Sequence, residues 1–133
     1  MQNKLEVWEL AHEFTLAVYK TADLLPSKEQ YNLIAQMKRS VSSIPTNIIE
    51  GQARQYKKEF KQFLYIAKAS NVETCYHLYL SKELDYISLD KYEQLSLLSN
   101  RIGMMLTKLI ASLQFTINEK RTTTNDLNLN LDK

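Results

Sequence analysis

The sequence predicts an all-α protein, an up-and-down antiparallel four-helix bundle of long helices. Three observations carry this. Apolar residues recur at spacings of three and four along most of the 133 residues, the period of a helix with one buried face. Two Gly and two Pro are too few for the many turns of an all-β chain. The length suits one domain with one core. It excludes the two-domain layout in which a cofactor domain faces a substrate domain.

In the first helix Leu5, Trp8, Ala11, Thr15, Val18, Ala22 and Leu25 keep the rhythm, and Val7, Leu10 and Phe14 widen the stripe. Much of its circumference is apolar, which leaves a face for a partner subunit. Pro26 ends it, because Pro disfavours helical geometry at Leu25. Ser27 begins the second helix, with Gln30 placed to complete a capping box. Its core face reads Ile34, Met37, Val41, Ile44 and Ile48. Pro45 removes one backbone hydrogen bond there and is expected to kink the helix. Gly51 reads as its C-cap.

The third helix starts near Tyr56 or Lys57. Phe60, Phe63, Leu64, Ala67, Asn71 and Leu78 share one side, and Leu84 and Ile87 follow. Ser88 or Asp90 opens the fourth, which runs through Tyr92, Leu95, Leu98, Ile102, Met105, Leu106, Leu109 and Leu113. Gly103 inside it costs about 1 kcal/mol relative to Ala and leaves room for a neighbouring helix. The closing run RTTTNDLNLNLDK has no helical rhythm. The domain reading is therefore a bundle over 1–119 and a mobile tail over 120–133.

The single Cys75 rules out a disulfide framework and fits a reducing compartment. No apolar run reaches the roughly 18 residues of a membrane span, and MQNKLEVWEL lacks the layout of a secretory signal. A cytoplasmic protein with no membrane partner is expected. His12 and His77 stand apart, without Cys or His at ligand spacing, so no metal is expected. Glu6, Glu9 and Glu13 share a helical spacing, but in the first turns of a helix acids offset its dipole. The matching Glu and Glu-x-x-His set of a di-iron bundle is missing. There is no phosphate loop, Ser/His/Asp set or nucleophile elbow. No catalytic residue, enzyme activity or cofactor is expected.

Charge is more informative. Residues 36–68 carry seven Lys/Arg against two Glu, while the whole chain has a net charge of only +2. On the third helix Lys57, Lys61 and Lys68 fall within about 40° of one another, with Tyr65 at the border of the stripe. Lys58 widens it, Arg54 extends it into the preceding link, and Lys38 and Arg39 add charge from the second helix. Cations in rows suit phosphates, and rings between them suit bases. A solvated bundle face is the competing reading. A second line, Arg39, Ser43, Asn47 and Glu50, is expected to serve the carbonyl freed by Pro45 and to hold the junction to the third helix. Glu50 and Arg54 stand at ion-pair spacing, and a polar pocket at this junction is the alternative.

The run SIPTNIIEGQAR at 43–54 resembles the signature of the bacterial four helix bundle proteins, also called 23S rRNA-intervening-sequence proteins. Relatives of that family serve diversity-generating retroelements as accessory proteins. LEVWELAHEF at 5–14 is similar to the family's opening, QMKRSVSSIPTNIIEG at 36–51 to its central helix, and EFKQFLYIAKASNVE at 59–73 to the next. The motif positions are Ser43, Pro45, Asn47, Glu50 and Gly51. Tyr56 stands where the family usually has Ser, which implies a weaker cap on the third helix. Ala69 replaces a usual Gly, and Lys38–Arg39 a usual pair of Arg.

The resemblance implies a homopentamer, a barrel of five bundles with a positive outer or end surface. On this chain that surface would draw on Lys38, Arg39, Arg54, Lys57, Lys58, Lys61 and Lys68. It further implies binding of structured RNA, DNA or a nucleoprotein, in some members together with a reverse transcriptase. The expected function is thus a non-enzymatic nucleic-acid-binding adaptor. The alternative is a structural oligomer that binds a protein partner without nucleic acid.

Overall fold

The computed structural model describes residues 5–125, with side chains through residue 113. Four helices form: α1 Glu6–Ala22, α2 Leu33–Gln52, α3 Lys57–Glu83 and α4 Leu89–Asn125, with one turn of 3-10 helix, Ser27–Glu29, before α2. Each helix packs on its sequence neighbours, and α4 closes the ring against α1. Short connections between such neighbours make them antiparallel. The core is filled by Phe14 and Val18 from α1, Met37, Ile44 and Ile48 from α2, Leu64 and Leu78 from α3, and Ile102 and Leu106 from α4, all fully buried. Among the described residues no helix is long and apolar enough to cross a membrane.

Where the chain departs from the periodicity, local chemistry explains it. Ser27 does not open α2. No side-chain cap forms at the 3-10 turn, none of its residues is buried, and α2 waits until Leu33, the first buried residue of the segment. Ile34 packs at the edge of the core, with Leu33 inside it. Ser88 does cap α4, its Oγ accepting the Lys91 backbone N–H at 3.0 Å. Tyr56 precedes α3 without a side-chain cap. The end of α3 is a Schellman turn: the Tyr86 N–H reaches the Ser81 carbonyl at 2.9 Å and the Asp85 N–H the Lys82 carbonyl at 3.0 Å. Asp85 there has φ 62°, in the left-handed region that favours glycine. Beyond Leu113 the fourth helix continues to Asn125, six residues past the expected end of the bundle at 119. The rest of the expected tail, 126–133, lies outside the described residues.

Gly51 is not a C-cap. It lies within α2, and the cap is Ala53. A Cβ at Gly51 would sit 2.7 Å from Phe63 Cβ and 2.9 Å from Phe60 Cδ1. At Gly51 α3 packs directly on the backbone of α2.

Pro45 is buried inside α2, which runs unbroken through it. The Val41 carbonyl it leaves without a helical donor is approached from another helix: the Thr15 hydroxyl shares its one proton between this carbonyl at 3.2 Å and the Ala11 carbonyl at 2.8 Å. The line Arg39, Ser43, Asn47 and Glu50 does not do this. Ser43 Oγ instead meets Ser70 Oγ of α3 at 2.8 Å. Asn47 donates to the Ser43 carbonyl at 2.7 Å and to its Oγ at 2.8 Å. One turn on, Thr74 Oγ1 donates to Ser40 Oγ at 2.8 Å. The seam is therefore Ser40, Ser43, Asn47 and Gly51, small residues that let α2 and α3 approach closely, while Arg39 and Glu50 face solvent.

Candidate nucleic-acid interface

Two kinds of surface meet on α3. Its N-terminal half carries the basic stripe. Lys57 and Lys58 are exposed, Lys61 and Lys68 half-buried, and Tyr65 is exposed beside them. Among the described residues none of these four lysines has an ion-pair partner. Arg54, in the link before α3, lies over the Phe63 ring at 4.7 Å rather than paired with Glu50. Its planar cation thus joins the same end of the molecule.

Lys38 and Arg39 stand elsewhere. Lys38 is held by Asp23 at 3.6 Å and lies 5.2 Å from the centre of the Tyr19 ring, both toward α1. Arg39 donates to Gln36 at 2.8 Å. The Ser40–Thr74 bond sets this part of α2 level with residue 74 of α3. It is about 20 Å along the helix axis from Lys61. The structure sets Lys57, Lys61 and Lys68 in one row on α3 with Lys58 at its edge. It keeps Arg54 at the same end but over Phe63, about 120° or more around the helix from that row, and does not bring Lys38 to them.

Past Lys68 the stripe becomes the wall of a groove. A groove of about 950 Å³ runs between α3 and α4, lined among others by Lys68, Val72, Cys75, Tyr76, Met104 and Lys108. At 100° per residue, Lys57, Lys61, Lys68, Val72, Cys75 and Tyr79 lie within about 60° on α3, with Tyr65 and Tyr76 on one border. Asn71 and Ser99 form the polar floor. Asn71 donates to the Ser99 carbonyl at 2.9 Å and accepts from the Ser99 hydroxyl at 3.0 Å, both residues buried. Gly103 opens the wall there, and a Cβ on it would meet Asn71 Nδ2 at 3.4 Å. At the far end Tyr79 and Tyr92 pack edge to face at 5.9 Å, with the Lys82 ammonium 4.6 and 5.4 Å from their ring centres. Lys82 also reaches Glu83 at 2.8 Å, and that hydrogen bond raises its pKa above the ordinary lysine value against a smaller effect of burial.

Tyr65 shows in the sequence, but the groove, Lys108 and the tyrosines beyond Lys68 do not. The signal was present in the angular register of α3. It was read only as far as Lys68, because rings and Cys75 beyond it look like ordinary core.

His12 is exposed and stacks on Trp8 at 5.3 Å. His77 Nε2 lies 3.2 Å from Glu73 Oε2 one turn away. Among the described residues no three His, Cys, Asp or Glu are grouped to hold a metal ion.

Fold and surface together define an all-α bundle with a cationic flank. The chain belongs to the 23S rRNA-intervening sequence protein family, whose profile matches residues 3–108. A crystal structure of a protein of unknown function from the S23 ribosomal protein family of Bacteroides thetaiotaomicron VPI-5482 shows a similar fold. It is 30% identical, covers 78% of this chain and 97% of that one, and superposes with a TM-score of 0.72. No curated protein matches the chain.

Proposed function

We propose that this chain is a non-enzymatic oligomeric adaptor that holds nucleic acid, or a nucleoprotein, against the basic flank of α3. The observation that carries the reading is the row Lys57, Lys61 and Lys68, three cations on one helix face with no carboxylate partner among the described residues. Rows of unpaired cations at helical spacing match a phosphate backbone. Family membership supports a link to RNA. The resemblance noted from the sequence supports a homopentamer, a structured RNA as ligand, and service to a reverse transcriptase in a retroelement.

A second reading has its own observation. Leu16 and Tyr19 are exposed on α1 and Leu24 just past its end, and such a surface suits a protein neighbour. On that reading the oligomer engages a protein partner and no nucleic acid.

Reversing Lys57, Lys61 and Lys68 to Glu separates the two. The first reading predicts loss of RNA binding with helical content and oligomer mass unchanged. Retained RNA binding contradicts it, and loss of the oligomer places the stripe in a subunit interface instead.

A further inference from the structure

We infer that the groove between α3 and α4 takes a single-stranded segment of nucleic acid, its bases on the tyrosines of α3 and its phosphates on the flanking lysines. The inference rests on the nucleic-acid reading above and says which form of the ligand is bound, and where.

Charge is the first argument. No Asp or Glu lines the groove, while Lys68 and Lys108 do. Lys61 and Lys57 continue the row toward the N-terminus of α3. Glu59 and Glu73, the carboxylates of α3 before residue 83, lie outside this arc. Every charged residue that lines the groove is thus a lysine, which suits a polyanion.

Ring placement is the second. Tyr65 is 48% and Tyr76 57% exposed. They lie on nearly the same line of the helix, about 16 Å apart along its axis, with Lys68 between them. Alternation of free rings and cations along one track is the arrangement that holds unpaired strands, because every base offers a face to stack. Tyr79 is not free in this way, since Lys82 covers it and Tyr92 packs on it. The Tyr79–Tyr92–Lys82 cluster is the end wall of the track.

The third argument is the apolar wall. Val72, Cys75 and Met104 line the groove, and Val72 and Met104 are 65% and 63% exposed. Base faces can cover such a surface. A duplex keeps its base faces stacked inside and offers backbone and base edges instead, so it has no base face to lay on Val72 and Met104.

The test compares a labelled single-stranded RNA of about 12 nucleotides, within the span of such tracks, with the same strand annealed to its complement. The protein is wild type, the pair Tyr65→Ala with Tyr76→Ala, or the pair Tyr65→Phe with Tyr76→Phe. Both rings are exposed, so circular dichroism is expected to show the same folded helices. The expected result is tighter binding of the single strand. The Ala pair should weaken it roughly 5- to 150-fold per ring that stacks a base, and the Phe pair should restore it. Bound single strand should also protect Cys75 from maleimide. If single strand and duplex bind alike and the Ala pair changes neither, the groove assignment fails while nucleic-acid binding stands. If neither form binds at low salt, both fail together. Protection of Cys75 in the RNA-free oligomer, lost on dilution to monomer, would assign the groove to a second copy of the chain and overturn the inference.

Discussion

A methyl group at residue 51 would stand 2.7 Å from Phe63 Cβ, closer than packed carbons tolerate. At residue 103 the nearest atom would be the Asn71 amide at 3.4 Å, an ordinary contact. The two glycines of the chain therefore answer differently to one change. Gly51→Ala is expected to cost on the order of 1 kcal/mol net, overpacking exceeding the gain in helix propensity. Gly103→Ala is expected to keep or raise stability by up to about 1 kcal/mol. Urea midpoints of both variants check the pair. Asp85→Gly should stabilise by about 1 kcal/mol, since it removes a Cβ from the left-handed position at φ 62°. Tyr86 adds a pH dependence. Its hydroxyl donates to Glu29 Oε2 at 2.9 Å, and that bond, with burial and the Glu29 charge, raises the phenol above the ordinary tyrosine pKa. The folded state thus favours the neutral phenol. This stabilisation is complete below the ordinary tyrosine range and is lost as pH rises through the raised value. The stability difference between wild type and Tyr86→Phe should shrink above about pH 10.

Among the elements, what burial dictates was legible and what it does not was missed. Phe60, Leu64, Ala67 and Leu78 face the core or its edge as their spacing implies, and α3 begins at Lys57 and α4 just after Ser88. The false start at Ser27 arose because a capping signature needs an apolar run to follow at once. Ser27 through Asn32 contains no buried residue, so nothing anchors a helix there before Leu33. Helix α4 outlasts its apolar rhythm because periodicity reports a buried face rather than helicity, and no Gly or Pro follows Gly103 to stop it. Pro45 shows in the sequence that a carbonyl of α2 is freed, but not which group meets it. The donor is Thr15, 26 residues earlier on α1, a partner that no local spacing can reveal. Thr15→Val should leave the Val41 carbonyl unmet and lower stability by about 1–3 kcal/mol in urea unfolding, with the helical spectrum unchanged.

For the whole molecule, the charge asymmetry and the packing order make one account. The α2–α3 seam is stitched by small polar residues and Gly51, which fixes α3 in place. The outer flank of α3 is then free to carry cations and rings without disturbing the core. The sequence placed Lys57, Lys61 and Lys68 on one face. The groove they lead into needed the pairing of α3 with α4, because Lys108 is 40 residues from Lys68 and joins it only through the antiparallel fold. The central claim is that this flank binds phosphates. The most direct measurement is the affinity of the purified protein for RNA across a salt series. Three phosphate contacts at Lys57, Lys61 and Lys68 predict a fall of log affinity with log salt of slope about −2 or steeper. An affinity that does not change with salt, or no binding at low salt, would contradict the account and leave the basic stripe a solvated face of the bundle.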